Sequence, residues 1–364
     1  MGRIVLFGAT GYTGRLTAHA LSERGADFAI AGRDRAKLEA LASVTGSPDI
    51  HVADVADVDA LASAIDGAGA LISCVGPFVE MGQTAVEAAL KAGVHYLDST
   101  GEGTFVARLI REKDDEANKR GIVIAPCMGF DEAPGDVAVA LATEGMERPQ
   151  VDLTYAMPSS ASVGTIKSLV GIILEPGTRI AHGRSEPVGA AQYSRWAPMP
   201  PPLGPKQSIS APLAIGHLAP RHVDMERFET FVTVGRMRKA AARPGLLALR
   251  LAMRAPGARA ATDKIISLLP EGPGDRARDA RWTILAEASD GSTWRNVSLQ
   301  GRDVYGLTAQ TLTAGAMELA DRAGGPTGVL PPVTAIGLEN LQKELTDQDV
   351  QIDVYKPAND PRRE

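Results

Sequence analysis

Gly8, Gly11 and Gly14 follow the apolar run Ile4-Val5-Leu6-Phe7 and lead into a helical pattern. Glycines at that spacing, between a buried-type strand and a helix, suit a bound pyrophosphate. The first permits the tight turn, the second lets backbone approach the phosphates, and the third lets the helix lie close to the strand. The N–H groups and positive dipole end of the helix expected at Thr13–Arg24 then face the anion. Arg33, in Ala31-Gly32-Arg33-Asp34-Arg35, stands at the end of the second expected strand. A carboxylate there would bind a ribose 2′-hydroxyl, whereas the planar fork of an arginine suits a 2′-phosphate. NADP(H) is the expected cofactor, with Asp34 as the cap of the next helix. Asp54, after the third strand, is placed either to touch the adenine or to start a helix. Cys74-Val75-Gly76-Pro77-Phe78 ends the fourth strand, where a nicotinamide can pass. The fifth ends in the polar cluster Asp98-Ser99-Thr100-Gly101-Glu102.

These residues need a scaffold of alternating strands and helices. Strands are expected at Arg3–Phe7, Asp27–Ala31, Asp49–Val52, Ala70–Cys74, His95–Asp98 and Gly121–Ala125. Helices fall at Thr13–Arg24, Arg35–Val44, Val58–Ala64, Gly82–Ala92, Phe105–Lys119 and Gly135–Glu144. This is a doubly wound parallel sheet over residues 1–149. Beyond Pro149 the pattern changes to an α+β region with a mixed or antiparallel sheet, residues 150–306. Its strands are expected at Val151–Met157, Phe228–Val234, Trp282–Ala288 and Thr293–Gln300, with Asp290-Gly291 as a hairpin turn. A helix candidate, Thr165–Leu174, and a proline-rich loop, Trp196–Pro205, lie between them. Helical pattern returns at Leu307–Ala323 and Val333–Leu345, and 347–364 is expected as a tail.

The chain has 364 residues and a net charge of −6, so two cores fit and no global basic field points to nucleic acid. Its two cysteines, Cys74 and Cys127, lack metal-ligand spacing and suit a reduced, intracellular protein. No apolar run approaches the ~20 residues that span a bilayer. With a nucleotide-binding strand at the very start and no leader, a cytoplasmic protein is expected, with no bound metal.

The motifs resemble the saccharopine dehydrogenase-like oxidoreductases, and among them the trans-acting enoyl reductase branch. The matching pieces are Gly8-Ala-Thr-Gly-Tyr-Thr-Gly14, Ala31-Gly-Arg33, Cys74–Phe78, Gly93–Glu102, Gly129-Phe-Asp131 with Pro134-Gly-Asp136, Ser162–Thr165 with Ser168, Gly272-Pro-Gly274 with Arg278, and Gly328–Pro332 with Ala335–Leu338. The resemblance implies a Rossmann domain, an inserted domain carrying the substrate surface, and C-terminal helices (307–346) that return to the Rossmann half. It implies diphosphate and 2′-phosphate contacts at Gly8, Thr10, Gly11, Tyr12, Thr13, Gly14 and Arg33. The nicotinamide side would be Gly76, Pro77, Phe78, Ser99, Thr100 and Gly101, with Cys74 and Val75 leading into it. Where members commonly show Phe-Asp-Ser-Val-Pro-Ser-Asp, this chain has Phe130-Asp131-Glu132-Ala133-Pro134-Gly135-Asp136.

Reduction of an enoyl thioester adds hydride to the β-carbon and needs a proton at the α-carbon and donors at the thioester oxygen. Tyr155, Lys167, Tyr305, Asp131 and Glu102 are the candidates; a strand tyrosine and an amphipathic-helix lysine also suit packing and solvation. Thr165 and Ser168 read as helix-start residues. No tyrosine is followed four places later by lysine, which sets the chain apart from ketone-reducing short-chain dehydrogenases. Two alternatives stay open. A saccharopine-type imine reductase would need convergent arginines, for which Arg179, Arg184, Arg195 and Arg221 are available. A non-catalytic nucleotide-binding module is the other. The acid-free stretch from Arg236 to Arg259 carries seven basic residues with interleaved leucines, a pattern for an acyl carrier protein or a membrane surface. A homodimer through an open face of the second sheet is expected.

Overall fold

A computed structural model describes residues 2–157, 177–234 and 279–357. Lys167, Thr165, Ser168, the 236–259 segment, Gly272–Gly274 and Arg278 lie outside the described residues.

Short runs of branched and small apolar residues build the first sheet: β1 (Ile4–Phe7), β2 (Phe28–Gly32), β3 (Asp49–Val52), β4 (Ala70–Ser73), β5 (His95–Asp98) and β6 (Val123–Ala125). They alternate with α1 (Tyr12–Glu23), α2 (Arg35–Ala42), α3 (Val58–Ala64), α4 (Phe78–Ala92), α5 (Gly103–Arg120) and α6 (Ala133–Thr143). A seventh strand, β15 (Gly328–Val329), adds to β6, so among the described residues the sheet has seven strands where six are expected. All its pairings are parallel, in the order β15-β6-β5-β4-β1-β2-β3. The order reverses between β1 and β4, which opens a crevice at the carboxyl ends of those two strands.

Among the described residues the second sheet has nine strands. Its main path runs β10 (Ser194–Ala197), β11 (Lys206–Ser210), β12 (Arg227–Thr233), β7 (Gln150–Ala156), β13 (Trp282–Ser289), β14 (Trp294–Gly301) and β16 (Gln351–Tyr355). The hairpin of β8 (Gly177–Ala181) and β9 (Arg184–Val188) joins at β12. The sheet is mixed, because β12 and β7 run parallel. Residues 351–355, expected as tail, thus form a strand paired to β14.

One face of this sheet, with Leu153, Ile284, Ala286, Val297 and Leu299, joins the apolar core that includes Ile4, Ile30 and Leu97 of the first. The centre of the opposite face is covered: Thr154, Leu285 and Ser298 are buried, and Leu285 packs with Ala197 and Met199 at the start of the proline-rich loop, while Trp294 toward one end of that face is exposed.

The C-terminal elements return to the first sheet. In α8 (Val304–Ala320), Leu312, Ala316 and Leu319 enter the same core as Leu6, Ile72 and Leu97. The single helix expected at Val333–Leu345 is two, α9 (Pro332–Ile336) and α10 (Leu338–Asp347), separated by Gly337 at φ 90°. Among the described residues no helix is long and apolar enough to cross a membrane.

Candidate cofactor and active site

The glycine turn is built as its spacing implies. Gly8 has φ +78°, and a Cβ there would meet the Val75 side chain at 2.6 Å, so the ends of β1 and β4 are in direct contact. At Gly14 a Cβ would stand 2.2 Å from the Gly8 carbonyl oxygen, which only a glycine avoids. Gly11 is exposed and a Cβ there would touch little, leaving its backbone open to the crevice. It caps α1 without a side-chain hydrogen bond, and the first turn of α1, which holds Tyr12, Thr13 and Gly14, has no acid. Its N–H groups are thus left for an anion. Thr10 lies in the turn, where its carbonyl accepts from the Arg15 guanidinium at 2.7 Å. Tyr12 meets Tyr305 from α8 edge to face, with ring centroids 5.1 Å apart, so the returning helix braces the turn.

Arg33 is exposed at the end of β2, and among the described residues it holds no hydrogen bond or ion pair. Asp34 beside it accepts from the Lys37 N–H and caps α2, so both expected roles fit in one segment. Asp54 is exposed and accepts the Ala56 N–H, while Asp57, not Asp54, caps α3.

On the other side of the crevice, Cys74 is partly buried, and burial pushes its thiol up to about 12. Cys74 and Cys127 are free thiols. Gly76 is exposed, Pro77 caps α4, and α4 starts at Phe78, four residues earlier than expected. The reason is Glu102. Its carboxylate accepts the Phe78 and Val79 N–H groups at 3.0 and 2.8 Å, tying the β5–α5 turn to the start of α4. Glu102 is therefore a clamp and not an available acid. Thr100 is buried and accepts the Glu102 N–H, so its hydroxyl holds the turn. Ser99 lies against Gly129 of the β6–α6 turn.

Asp98 is a polar keystone not singled out in the sequence. Its carboxylate accepts from Tyr96 Oη at 2.8 Å and from the N–H groups of Thr100 and Cys127 at 2.9 and 3.1 Å. Burial lifts its pKa to about 7 against the pull of those bonds. Glu132, the departure from the family pattern, caps α7 (Ile215–Leu218): it accepts the Ala214 and Ile215 N–H groups at 3.0 and 3.1 Å. Burial among other carboxylates holds its pKa well up.

Asp131 is different. Its Oδ2 lies 3.4 Å from where a Cβ of Gly101 would be, and among the described residues it has no hydrogen-bond partner. Burial raises its pKa to about 6. At the other end of the same turn the His217 ring lies 3.5 Å from where a Cβ of Gly103 would be, and burial lowers its pKa. His217 had no sequence signal, being a lone histidine far along the chain.

Tyr155 is 1% exposed; its hydroxyl presses on Gly135 and has no partner among the described residues. It is interior packing and not a group at the crevice surface. The arginines considered for a polycarboxylate substrate are largely taken. Arg179 pairs with Glu229 and Glu186, Arg195 with Glu287 and Asp152, and Arg221 with Asp114. Arg184 is exposed. Among the described residues no three His, Cys, Asp or Glu cluster as metal ligands.

Residues 4–124, which hold this turn, Arg33 and the β4 and β5 ends, match the family model described as Saccharopine dehydrogenase NADP binding domain. This part of the chain is thus similar to the NADP-binding domain of that family. The match supports NADP(H) as the cofactor held by this part of the chain. A trans-acting enoyl reductase of Mycobacterium leprae is 35% identical over 142 residues, 37% of this chain and 34% of that protein. A lipid droplet localized protein of Caenorhabditis elegans is 30% identical over 148 residues, 37% of this chain and 35% of that protein. The chain spans less than half the length of the curated relatives it matches. In structure it is similar to apo saccharopine dehydrogenase (L-Glu forming) from Saccharomyces cerevisiae, with a TM-score of 0.61 and 13% identity over 98% of this chain and 100% of that one. That likeness establishes the fold: a Rossmann sheet followed by a second mixed sheet.

Proposed function

We propose that the protein is an NADP(H)-dependent reductase of an activated C=C bond in a lipid or polyketide-type thioester. The reading is carried by the similarity of 142 of its residues to a protein named trans-acting enoyl reductase. Bound NADPH supplies the hydride. In this reading Gly8–Gly14 and Arg33 hold the phosphates, while Cys74–Phe78 and Ser99–Gly101 flank the nicotinamide. The pairing of Arg179, Arg195 and Arg221 with acids counts against a polycarboxylate imine as substrate. The test is NADPH oxidation with enoyl thioesters of pantetheine or an acyl carrier protein, beside an amino acid plus aldehyde mixture. Turnover only with the latter would reverse the choice.

A second reading concerns location. The lipid droplet relative and the basic, leucine-bearing 236–259 segment favour contact with a lipid surface or an acyl carrier protein from the cytoplasm. Flotation with anionic and neutral liposomes checks it, and equal recovery with both refutes the electrostatic part.

A further inference from the structure

Four carboxylates converge where the ends of β5 and β6 meet the crevice, and three of them are engaged. Asp98 holds the Thr100 and Cys127 N–H groups and the Tyr96 hydroxyl. Glu102 holds the start of α4. Glu132 holds the start of α7. A carboxylate that accepts two backbone N–H groups at a helix start presents no proton to a third party without losing the cap. Asp131 carries no such duty. It sits against Gly101, on the side of the turn where the nicotinamide is expected, and its two oxygens have no partner among the described residues.

We propose that Asp131 is the proton donor of the reduction. This rests on the C=C reading above. Arrival of hydride at the β-carbon moves the C=C electron pair onto the α-carbon and thioester oxygen as an enolate. The Asp131 O–H bond then breaks as a C–H bond forms at the α-carbon, and the carboxylate regains its proton from solvent. In the reverse direction the carboxylate takes the α-proton.

The surroundings suit that role. Cys127, Glu132 and Tyr155 are the titratable groups that sense Asp131, and Asp98 and Glu102 belong to the facing turn; none is a cation. Nothing among the described residues therefore stabilises a permanent charge on Asp131, and burial favours its protonated form near neutral pH. His217, across Gly103, is the competing donor.

The test has two arms. The first needs no substrate: carboxyl-13C aspartate labelling and NMR titration of the NADPH complex, with Asp131→Asn to assign the signal. A carboxyl that titrates near pH 6 is expected; titration in the ordinary range near ~4 would overturn the proposal. The second uses whichever enoyl thioester is turned over. Asp131→Asn should leave the NADPH Kd within about twofold, which also shows that it folds, and lower kcat by ~100-fold or more. In the wild type kcat/KM should fall about tenfold per pH unit above pH 6, and that limb should vanish in Asp131→Asn, return in Asp131→Glu and persist in His217→Gln. A limb lost in His217→Gln but kept in Asp131→Asn would reject Asp131. If no enoyl thioester is turned over while the first arm succeeds, the substrate reading fails and the proton-bearing carboxyl stands.

Discussion

Removing Arg33 tests the cofactor assignment at its most exposed point. The side chain leaves the end of β2 into solvent and makes no hydrogen bond or ion pair among the described residues, so Arg33→Ala should not disturb folding. Charge-assisted hydrogen bonds contribute ~1.5–3 kcal/mol each, and solvent screening at an exposed site puts a bidentate contact near the low end. A loss of about 2–3 kcal/mol is expected, or roughly 30- to 150-fold in the NADPH Kd. NADH has no 2′-phosphate, so its Kd should change by less than about twofold. The wild-type NADPH Kd should also weaken with salt more steeply than that of the variant, because the Debye length shrinks to ~10 Å at 0.1 M. Fluorescence titration with both nucleotides at two ionic strengths measures all four quantities. Arg35→Ala is the control, since Arg35 is also exposed but faces Glu39 at 3.6 Å along α2. An NADPH Kd unchanged in Arg33→Ala, or lowered affinity for both nucleotides alike, would refute 2′-phosphate recognition by this residue.

Two glycine substitutions should separate structure from ligand contact. Gly14→Ala places a Cβ 2.2 Å from a carbonyl oxygen that cannot move aside, and it should lower the denaturant midpoint and weaken NADPH. Gly11→Ala, with its nearest neighbour at 3.4 Å, should weaken NADPH with little change in stability. Glu132→Gln leaves one of the Ala214 and Ile215 N–H groups facing an amide donor, and should cost about 1–3 kcal/mol with faster hydrogen exchange at those two amides. His222 Nε2 donates to the buried Asp136 carboxylate at 2.7 Å. Burial lowers its pKa, but the Asp136 charge and hydrogen bond outweigh that and leave it raised above 6.5. The pair's stabilisation is therefore complete below pH 6.5 and lost as pH rises through the folded-state value. Denaturant midpoints between pH 6 and 8.5 should fall more for the wild type than for Asp136→Asn, and parallel curves would count against it.

How far each part could be read in the sequence follows from the distance over which its cause acts. β3 at Asp49–Val52, β5 at His95–Asp98 and α3 at Val58–Ala64 form at their expected bounds, because local apolar spacing and the capping Asp57 decide them. The hairpin of β8 and β9 has no such signal. Arg184-Ser-Glu-Pro-Val188 is mostly exposed and is made a strand by pairing with its neighbour. β15 is two residues long and exists through β6, and β16 exists through β14. The crevice divides in the same way. Its phosphate end is local, a turn whose glycines carry their own reasons. Its reactive end is not, because availability of an acid depends on where distant N–H groups fall. Glu102 is engaged by residues 23 and 24 places earlier and Glu132 by residues 82 and 83 places later. Asp131 and Glu132 are adjacent and both carboxylates in the sequence, and only the arrival of Ala214 and Ile215 makes one a cap and leaves the other against Gly101.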